Sequence, residues 1–445
     1  MEIYTIGGFN EVGKNMTVVD LGEDAFVFDC GLFLPPIVEL EERERAYDEK
    51  TLRIINAVPA DEILEQKGIK QRVRAIIPSH AHLDHIGAIP YIAYKYPNAE
   101  IIGGPYTIEV LKNLYLDGNQ PVKNKLVTIH PNSSYTIQGK NKEYKIDFIN
   151  ITHSTLQTSM LALHTDEGVV LYSNDFKFDN NPIVGKEPNY EKLREIAKEG
   201  VKVMIVDSLY SKDERKTPSE KVARGLLEDV MLTTHNEKSG IVVTTFSSHI
   251  ARLKSIVDFS KRLDRQPIFV GRSLNKYVTA ATNVKLCPFT KDIKIASFKN
   301  QVEKMLKQIN ANRTKYVLVC TGHQGEPGSV MDRISKAQLP FNLNFEDHVI
   351  FSSSIIPTPI NIKNRQVLED KLKKRGVRIF NNVHVSGHAG REDLRDFINM
   401  IDAEHIIPAH GDKDKTMPMV ELCTEMGYKS DKDVHLMENG KKLKI

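Results

Sequence analysis

Short apolar runs recur along this chain, and many of them stop at one polar residue able to carry a proton or a metal. Phe26-Val-Phe28 stops at Asp29, Arg74-Ala-Ile-Ile-Pro78 at Ser79 and His80, and Ile146-Asp-Phe-Ile-Asn-Ile-Thr152 at His153. Gly168-Val-Val-Leu-Tyr-Ser-Asn174 stops at Asp175, Val203-Met-Ile-Val206 at Asp207, and His405-Ile-Ile-Pro-Ala409 at His410. Runs this short, rich in β-branched residues and bounded by Gly, Ser or Pro, predict strands. Up to about residue 205 strands and turns alternate, as in the first part of a layered α/β sandwich. From Val201 the rhythm changes to strand, helix, strand, helix. Val203–Asp207, Gly240–Thr245, Pro267–Gly271 and Tyr316–Cys320 are predicted strands, and Ser219–Val230 (after Pro218) and Ile250–Phe259 are predicted helices. That alternation predicts a parallel sheet. In open α/β sheets the strand ends meet at a crevice where ligands collect.

One of these strand ends is dense in chemistry. Ser79-His-Ala-His-Leu-Asp-His85 places His80, His82, Asp84 and His85 within a single heptapeptide. Extended backbone puts His80, His82 and Asp84 on a common side, and a turn at Asp84 brings His85 beside them. Imidazole and carboxylate together suit zinc, manganese or iron. One ion cannot use all four groups from so short a stretch, but two neighbouring ions can. His153, Asp175 and His410 are the further candidates; each alone reads equally as a core or capping residue.

Composition adds limits. The chain has 445 residues, 40% hydrophobic and 27% charged, which fits two domains of a globular protein. No apolar run approaches a membrane span, and Met1-Glu-Ile-Tyr-Thr5 reads as a first strand, not a signal peptide. Cys30, Cys287, Cys320 and Cys423 are scattered without metal or disulfide spacing, the expectation for reduced thiols in a cytoplasmic protein. A net charge of +3 is no duplex-coating excess. Two cations held by only Asp84 and Asp175 would still make the pocket positive enough to draw a phosphodiester. The mixed-charge stretch 39–50 reads as a solvated helix or loop, and with no Trp any base stacking falls to Phe, Tyr or His.

His80-x-His82-x-Asp84-His85 with His153, Asp175 and His410 resembles the metallo-β-lactamase superfamily. Asn174–Asp179, Thr321-Gly-His-Gln-Gly-Glu-Pro327, Ser352-Ser-Ser-Ile-Ile-Pro357 and His384-Val-Ser-Gly-His-Ala-Gly390 are similar to its β-CASP nucleases, above all ribonuclease J in its shorter archaeal form. The resemblance runs from Gly7-Gly8 to His410-Gly411. It implies an αββα sandwich split in sequence, 1–205 and 352–445, around a parallel α/β β-CASP domain, 206–351. It also implies a 5′-to-3′ exoribonuclease acting on single-stranded, 5′-monophosphorylated RNA by a two-metal hydroxide mechanism, with zinc favoured and manganese possible.

By the same resemblance one ion takes His80, His82, His153 and Asp175; the other takes Asp84, His85, His410 and a bridging Asp175. Asp29 orients the metal loop. His388 acts as general acid, held by Asp207, and Asp207 reads otherwise as a strand-end cap. His384, Ser386 and His388 lie over the scissile phosphate and the 5′ end, and Gly387 is a further substrate-binding candidate. Ser247, Ser248, Ser353, Ser354 and Arg272 are further candidates for phosphate. Helix capping is an equal reading for the first two, and a structural ion pair for Arg272. His323 stands where bacterial relatives carry a small polar residue. A homodimer and partners in RNA degradation are expected by analogy, although the C-terminal domain that helps bacterial relatives pair is not expected here. The alternatives are an endonuclease acting internally on RNA or DNA, a non-catalytic RNA-processing scaffold, and a small-molecule hydrolase lacking the insertion.

Overall fold

A computed structural model describes residues 1–39, 47–356 and 358–445, so most of the mixed-charge stretch lies outside the described residues. Three sheets organise the chain. The first runs Lys441–Lys444, Glu2–Gly7, Met16–Asp20, Ala25–Phe28, Val73–Ile77, Glu100–Gly103, Leu126–Thr128. The second runs His405–Ala409, Val201–Asp207, Gly168–Ser173, Ser159–Thr165, Glu143–Asn150, Ser133–Gln138. These two face each other across a core that includes Phe26, Phe28, Phe148, Leu161, Tyr172, Ile205 and Ile407. The Phe28 and Tyr172 rings stack across it at 5.1 Å, a pairing that adds about 0.5–1.5 kcal/mol to their burial. Helices cover the outer faces, so the expected αββα sandwich is present.

The last part of the chain closes that sandwich. Lys441–Lys444 pairs antiparallel with Glu2–Gly7, and His405–Ala409 pairs parallel with Val201–Asp207. The second pairing sets Asp207 opposite Ala409, and so carries His410 to the same edge.

The third sheet is wholly parallel: Lys294–Ala296, Gln266–Val270, Tyr316–Cys320, Ile241–Thr244, His348–Phe351, Arg378–Phe380. Its central strands are buried on both faces, which is why they read as unbroken apolar runs. The chain does not leave this sheet at 352. Helix Pro359–Lys374 and strand Arg378–Phe380 still belong to it, the strand pairing with His348–Phe351. Ser352–Ser354 follows an inner strand, and in sequence that end looks like a final one.

Helix Arg272–Asn283 lies against helix Pro105–Asp117, with Tyr106, Leu111, Leu274 and Val278 in one apolar cluster. That cluster extends to Val243 and Val319 of the third sheet and to Val27 and Ile76 of the first. The inserted lobe and the sandwich therefore share one core.

Candidate metal centre and catalytic cavity

The strand Val73–Ile77 delivers the histidine motif to the edge of the first sheet. His82 is still extended, at φ −79° and ψ 149°, but a helical turn begins at Leu83. Alternation therefore places His80 and His82, whereas Asp84 and His85 are placed by the turn. The turn is pinned from below: Cys30 N–H donates to His85 O (2.7 Å), Leu32 N–H to Leu83 O (2.9 Å) and Asn15 N–H to Asp84 O (3.0 Å). Gly31 permits this approach, because a Cβ there would lie 1.6 Å from Asp84 O. A Gly31→Ala protein is expected to lose about 1–3 kcal/mol of stability and much of its cation affinity. Thermal melts with and without added zinc measure both, and a melt that still rises with zinc as in the parent would refute the pinning.

Three other strand ends turn through a left-handed residue instead. Asp29, Asp175 and His410 all have left-handed backbone, with φ of 57°, 53° and 60°. Asp and His tolerate this region better than most residues, at a cost of roughly 1–3 kcal/mol each. Asp175 and His410 so reach the cavity, and Asp29 is set beneath the histidine loop.

The donor atoms converge as two sets sharing Asp175. His80, His82, His153 and Asp175 form one, and Asp84, His85, His410 and Asp175 the other, each within 4.8 Å. His82 Nδ1 lies 3.1 Å from His80 Nε2 and 3.2 Å from His153 Nε2. Ligands on one tetrahedral zinc at 2.0–2.1 Å are separated by about 3.3 Å. The opposite ring edges are committed. His80 Nδ1 pairs with Ser79 Oγ (3.0 Å), His153 Nδ1 donates to Gly387 O (2.7 Å), and His82 Nε2 pairs with Ser248 Oγ (3.1 Å). Three imidazole lone pairs aimed at one point repel one another unless a proton or cation lies between them.

Asp175 supports the same fit. Its Oδ2 lies 3.1 Å from His85 Nε2, 3.5 Å from His80 Nε2 and 3.6 Å from His153 Nε2, facing both sets. Its Oδ1 is buried with no hydrogen-bond partner, a costly state for a carboxylate without a counter-charge. Asp29, fully buried, accepts from Ser79 N–H (2.7 Å), Ser79 Oγ (3.0 Å), His85 Nδ1 (2.7 Å) and Tyr172 OH (2.8 Å). It orients the loop without joining either donor set.

Burial sets the protonation of this cluster. It pushes His82 down to about 4 and His80 and His153 well below the usual imidazole range, leaving their lone pairs available at neutral pH. Burial works the same way on His85, but Asp175, Asp84 and Asp29 outweigh it and raise that imidazole. For Asp175, burial favours the acid, whereas the His410, His85 and His388 imidazoles hold it well below the carboxylate range.

Beside the cluster, His388 Nδ1 pairs with Asp207 Oδ2 at 2.7 Å. The His388 ring lies 4.9 Å from that of His153 and 5.6 Å from that of His410. Burial would lower this imidazole, but Asp207 and Asp175 dominate and raise it to about 9. These carboxylates favour the protonated ring, the form that carries a proton to give.

Comparison with known proteins agrees with this geometry. Residues 238–369 match the family model described as ribonuclease J, beta-CASP domain. Residues 10–206 match the metallo-beta-lactamase superfamily, and 374–437 match the Zn-dependent metallo-hydrolase RNA specificity domain. The chain is 41% identical to Ribonuclease J of Methanocaldococcus jannaschii over 99% of its length and 98% of the relative's. It is also 41% identical to Ribonuclease J of Pyrococcus abyssi, over 100% and 97%. The chain belongs to the ribonuclease J family. A solved structure from Enterococcus faecalis V583, of a protein of unknown function, shares the fold: TM-score 0.67 at 16% identity, covering 99% of both chains.

In this ribonuclease J family member a cavity of about 310 Å³ opens beside the cluster, between the sandwich and the inserted lobe. His82, Asp84, Asp175, His388 and His410 form its floor, with Ser247, Ser248, Ser354, His384, Ser386 and Gly387 around it. Not every residue singled out from the sequence sits as expected. Ser353 is buried, its hydroxyl unpaired, and does not line the cavity. Arg272 is exposed at the start of its helix, and the neighbour that lines the cavity is Ser273. Ser248 does line it, but its hydroxyl is engaged by His82. Neither serine caps the helix at 250, whose N-cap is His249, without a side-chain bond. Ser386 Oγ accepts from His388 N–H (3.0 Å) and shapes that turn, and Gly387 offers its carbonyl to His153.

Some residues escaped sequence reading. Asn15 bridges the second donor set, with Nδ2 3.2 Å from His85 Nε2 and Oδ1 3.0 Å from His410 Nδ1. Tyr210, Phe246 and Tyr277 line the cavity, and Tyr210 stacks on His388 at 5.8 Å. His323 does not line it; it packs edge-on to Phe246 at 4.2 Å. No helix among the described residues is long and apolar enough to cross a membrane.

Proposed function

We propose that this chain is a 5′-to-3′ exoribonuclease acting on single-stranded, 5′-monophosphorylated RNA. That it is a metal-dependent ribonuclease, an RNA-binding hydrolase of phosphodiesters, rests on its family and on the matched RNA specificity domain. The single observation that carries the mechanism is the convergence of seven donors into two sets sharing Asp175. His80, His82, His153 and Asp175 would hold one divalent cation, and Asp84, His85, His410 and Asp175 the other. Bound there, the pair supplies Lewis acidity for the phosphoryl oxygens and a lowered pKa for water. Five imidazoles against two carboxylates favour zinc over manganese as the resident ion.

The protein's own groups do the rest. His388 gives its proton to the departing 3′-oxygen. Asp207 holds the ring at Nδ1 and so points Nε2 at that oxygen. His384, Ser247 and Ser354 offer donors to phosphate oxygens. Tyr210, Phe246 and Tyr277 provide faces for unpaired bases. What supports action from a chain end is the size of the cavity, about 310 Å³, that of a pocket for one small ligand rather than a groove. Cys30, Cys320 and Cys423 are buried and unpaired, which supports a reducing, cytoplasmic setting; a homodimer and partners in RNA degradation belong to the same reading.

Internally labelled RNA bearing 5′-monophosphate, 5′-triphosphate or 5′-hydroxyl tests the proposal. Nucleoside monophosphates released stepwise, fastest from the monophosphate end, are expected. Internal fragments from all three RNAs would instead make the chain an endonuclease.

A further inference from the structure

Arg252 is the largest fully buried side chain among the described residues, at 0% exposure, and it does not line the cavity. A guanidinium is always charged and only donates hydrogen bonds. Its Nε and one terminal nitrogen bind Glu220 in a fork, at 2.6 Å and 2.9 Å. The two protons of its other terminal nitrogen are shared among Ser352 O (2.8 Å), Ser352 Oγ (2.9 Å) and Val383 O (3.2 Å). The same nitrogen lies 3.3 Å from Nδ1 of His384, a cavity-lining residue. Arg252 comes from the helix Ile250–Arg262 and Glu220 from the start of Glu220–Glu228. The clamp therefore joins two helices of the inserted lobe to the segment that returns the chain to the sandwich.

Because Arg252 can only donate, its cationic N–H edge, 3.3 Å from Nδ1 of His384, opposes a proton on that nitrogen and favours the tautomer with the proton on Nε2. Nε2 makes no hydrogen bond within the protein among the described residues. We infer that Arg252 is a positioning residue: it locks His384 as the neutral Nε2–H tautomer, so that the ring offers the cavity one hydrogen-bond donor and no charge. This rests on the proposed RNA reading only for the ligand, which is a non-bridging phosphate oxygen. Burial, Arg252 and His249 all oppose protonation and hold His384 at about 2. A neutral donor binds phosphate without becoming a second acid, and so leaves proton transfer to His388.

The test has two readouts. Nitrogen-15 NMR of histidine-labelled, zinc-loaded protein without RNA distinguishes the two tautomers and the imidazolium, with His384→Gln identifying the resonance. The Nε2–H form is expected in the parent at neutral pH, and an Nδ1–H or cationic ring would overturn the inference even if the chain cleaved RNA as proposed. Arg252→Lys is expected to lose that single tautomer and raise KM for RNA about tenfold with little change in kcat. His384→Gln keeps a donor near the Nε2 position. In that background Arg252→Lys is expected to change KM less than twofold. The same tenfold rise there would make Arg252 merely structural and overturn the inference.

Discussion

Asp175→Asn protein is expected to cleave RNA at least about 10³-fold more slowly than the parent and to retain less than two equivalents of divalent cation. The reason is geometric. Asp175 is the one residue in both donor sets, and its buried Oδ1 makes no hydrogen bond within the protein, with His410 Nδ1 standing off at 3.6 Å. An amide keeps the shape but removes the charge that would hold two cations side by side. Loss of several kcal/mol of charge stabilisation corresponds to about three powers of ten, at 1.36 kcal/mol each. Metal analysis and single-turnover cleavage on the same preparation read both effects. The parent's melting temperature should rise with added zinc, because a ligand bound only by the folded state stabilises it; in the variant that rise should shrink. Full activity in Asp175→Asn would remove the shared-carboxylate centre from consideration.

His388→Ala is expected to lower kcat by about 10²–10⁴-fold, the usual contribution of a general acid, while leaving cation content at the parent's level. His388 belongs to neither of the two four-donor sets, although it forms a three-donor group with Asp207 and Asp175, so unchanged cation content in the variant would separate an acid from a ligand. Asp207→Asn should cost less, because an amide still holds the ring but no longer favours its protonated form. The double variant should be no slower than His388→Ala alone, since the two act as one unit joined at 2.7 Å. Additive losses would mean that Asp207 has a separate role, such as the strand-end cap its sequence position also allows.

Much of this arrangement was legible before any coordinates because its logic is that of strand ends. Asp29, His80, His153, Asp175, Asp207 and His410 each follow an apolar run, and strands deliver their last residues to a shared edge. The parallel rhythm of the inserted lobe was visible for the same reason. What escaped reading depends on contacts between distant segments or on single-residue register. Asn15 reaches the centre from a segment 395 residues away from His410, and nothing local marks it. Ser353 and Ser354 are indistinguishable in sequence, yet Ser353 is buried and only Ser354 lines the cavity. Arg272 and Ser273, successive residues at the start of a helix, point in different directions around its axis, and only Ser273 lines the cavity. Arg252 reads as an ordinary helical arginine, and its burial appears only once Glu220, Ser352 and Val383 surround it.

The apolar seam between helices Pro105–Asp117 and Arg272–Asn283 bears on how a polymer could be admitted. Lobes welded along a common interior cannot gape without breaking it. On the proposed reading, RNA would therefore have to be threaded in by its end, and a hairpin would have to be unzipped before it could follow.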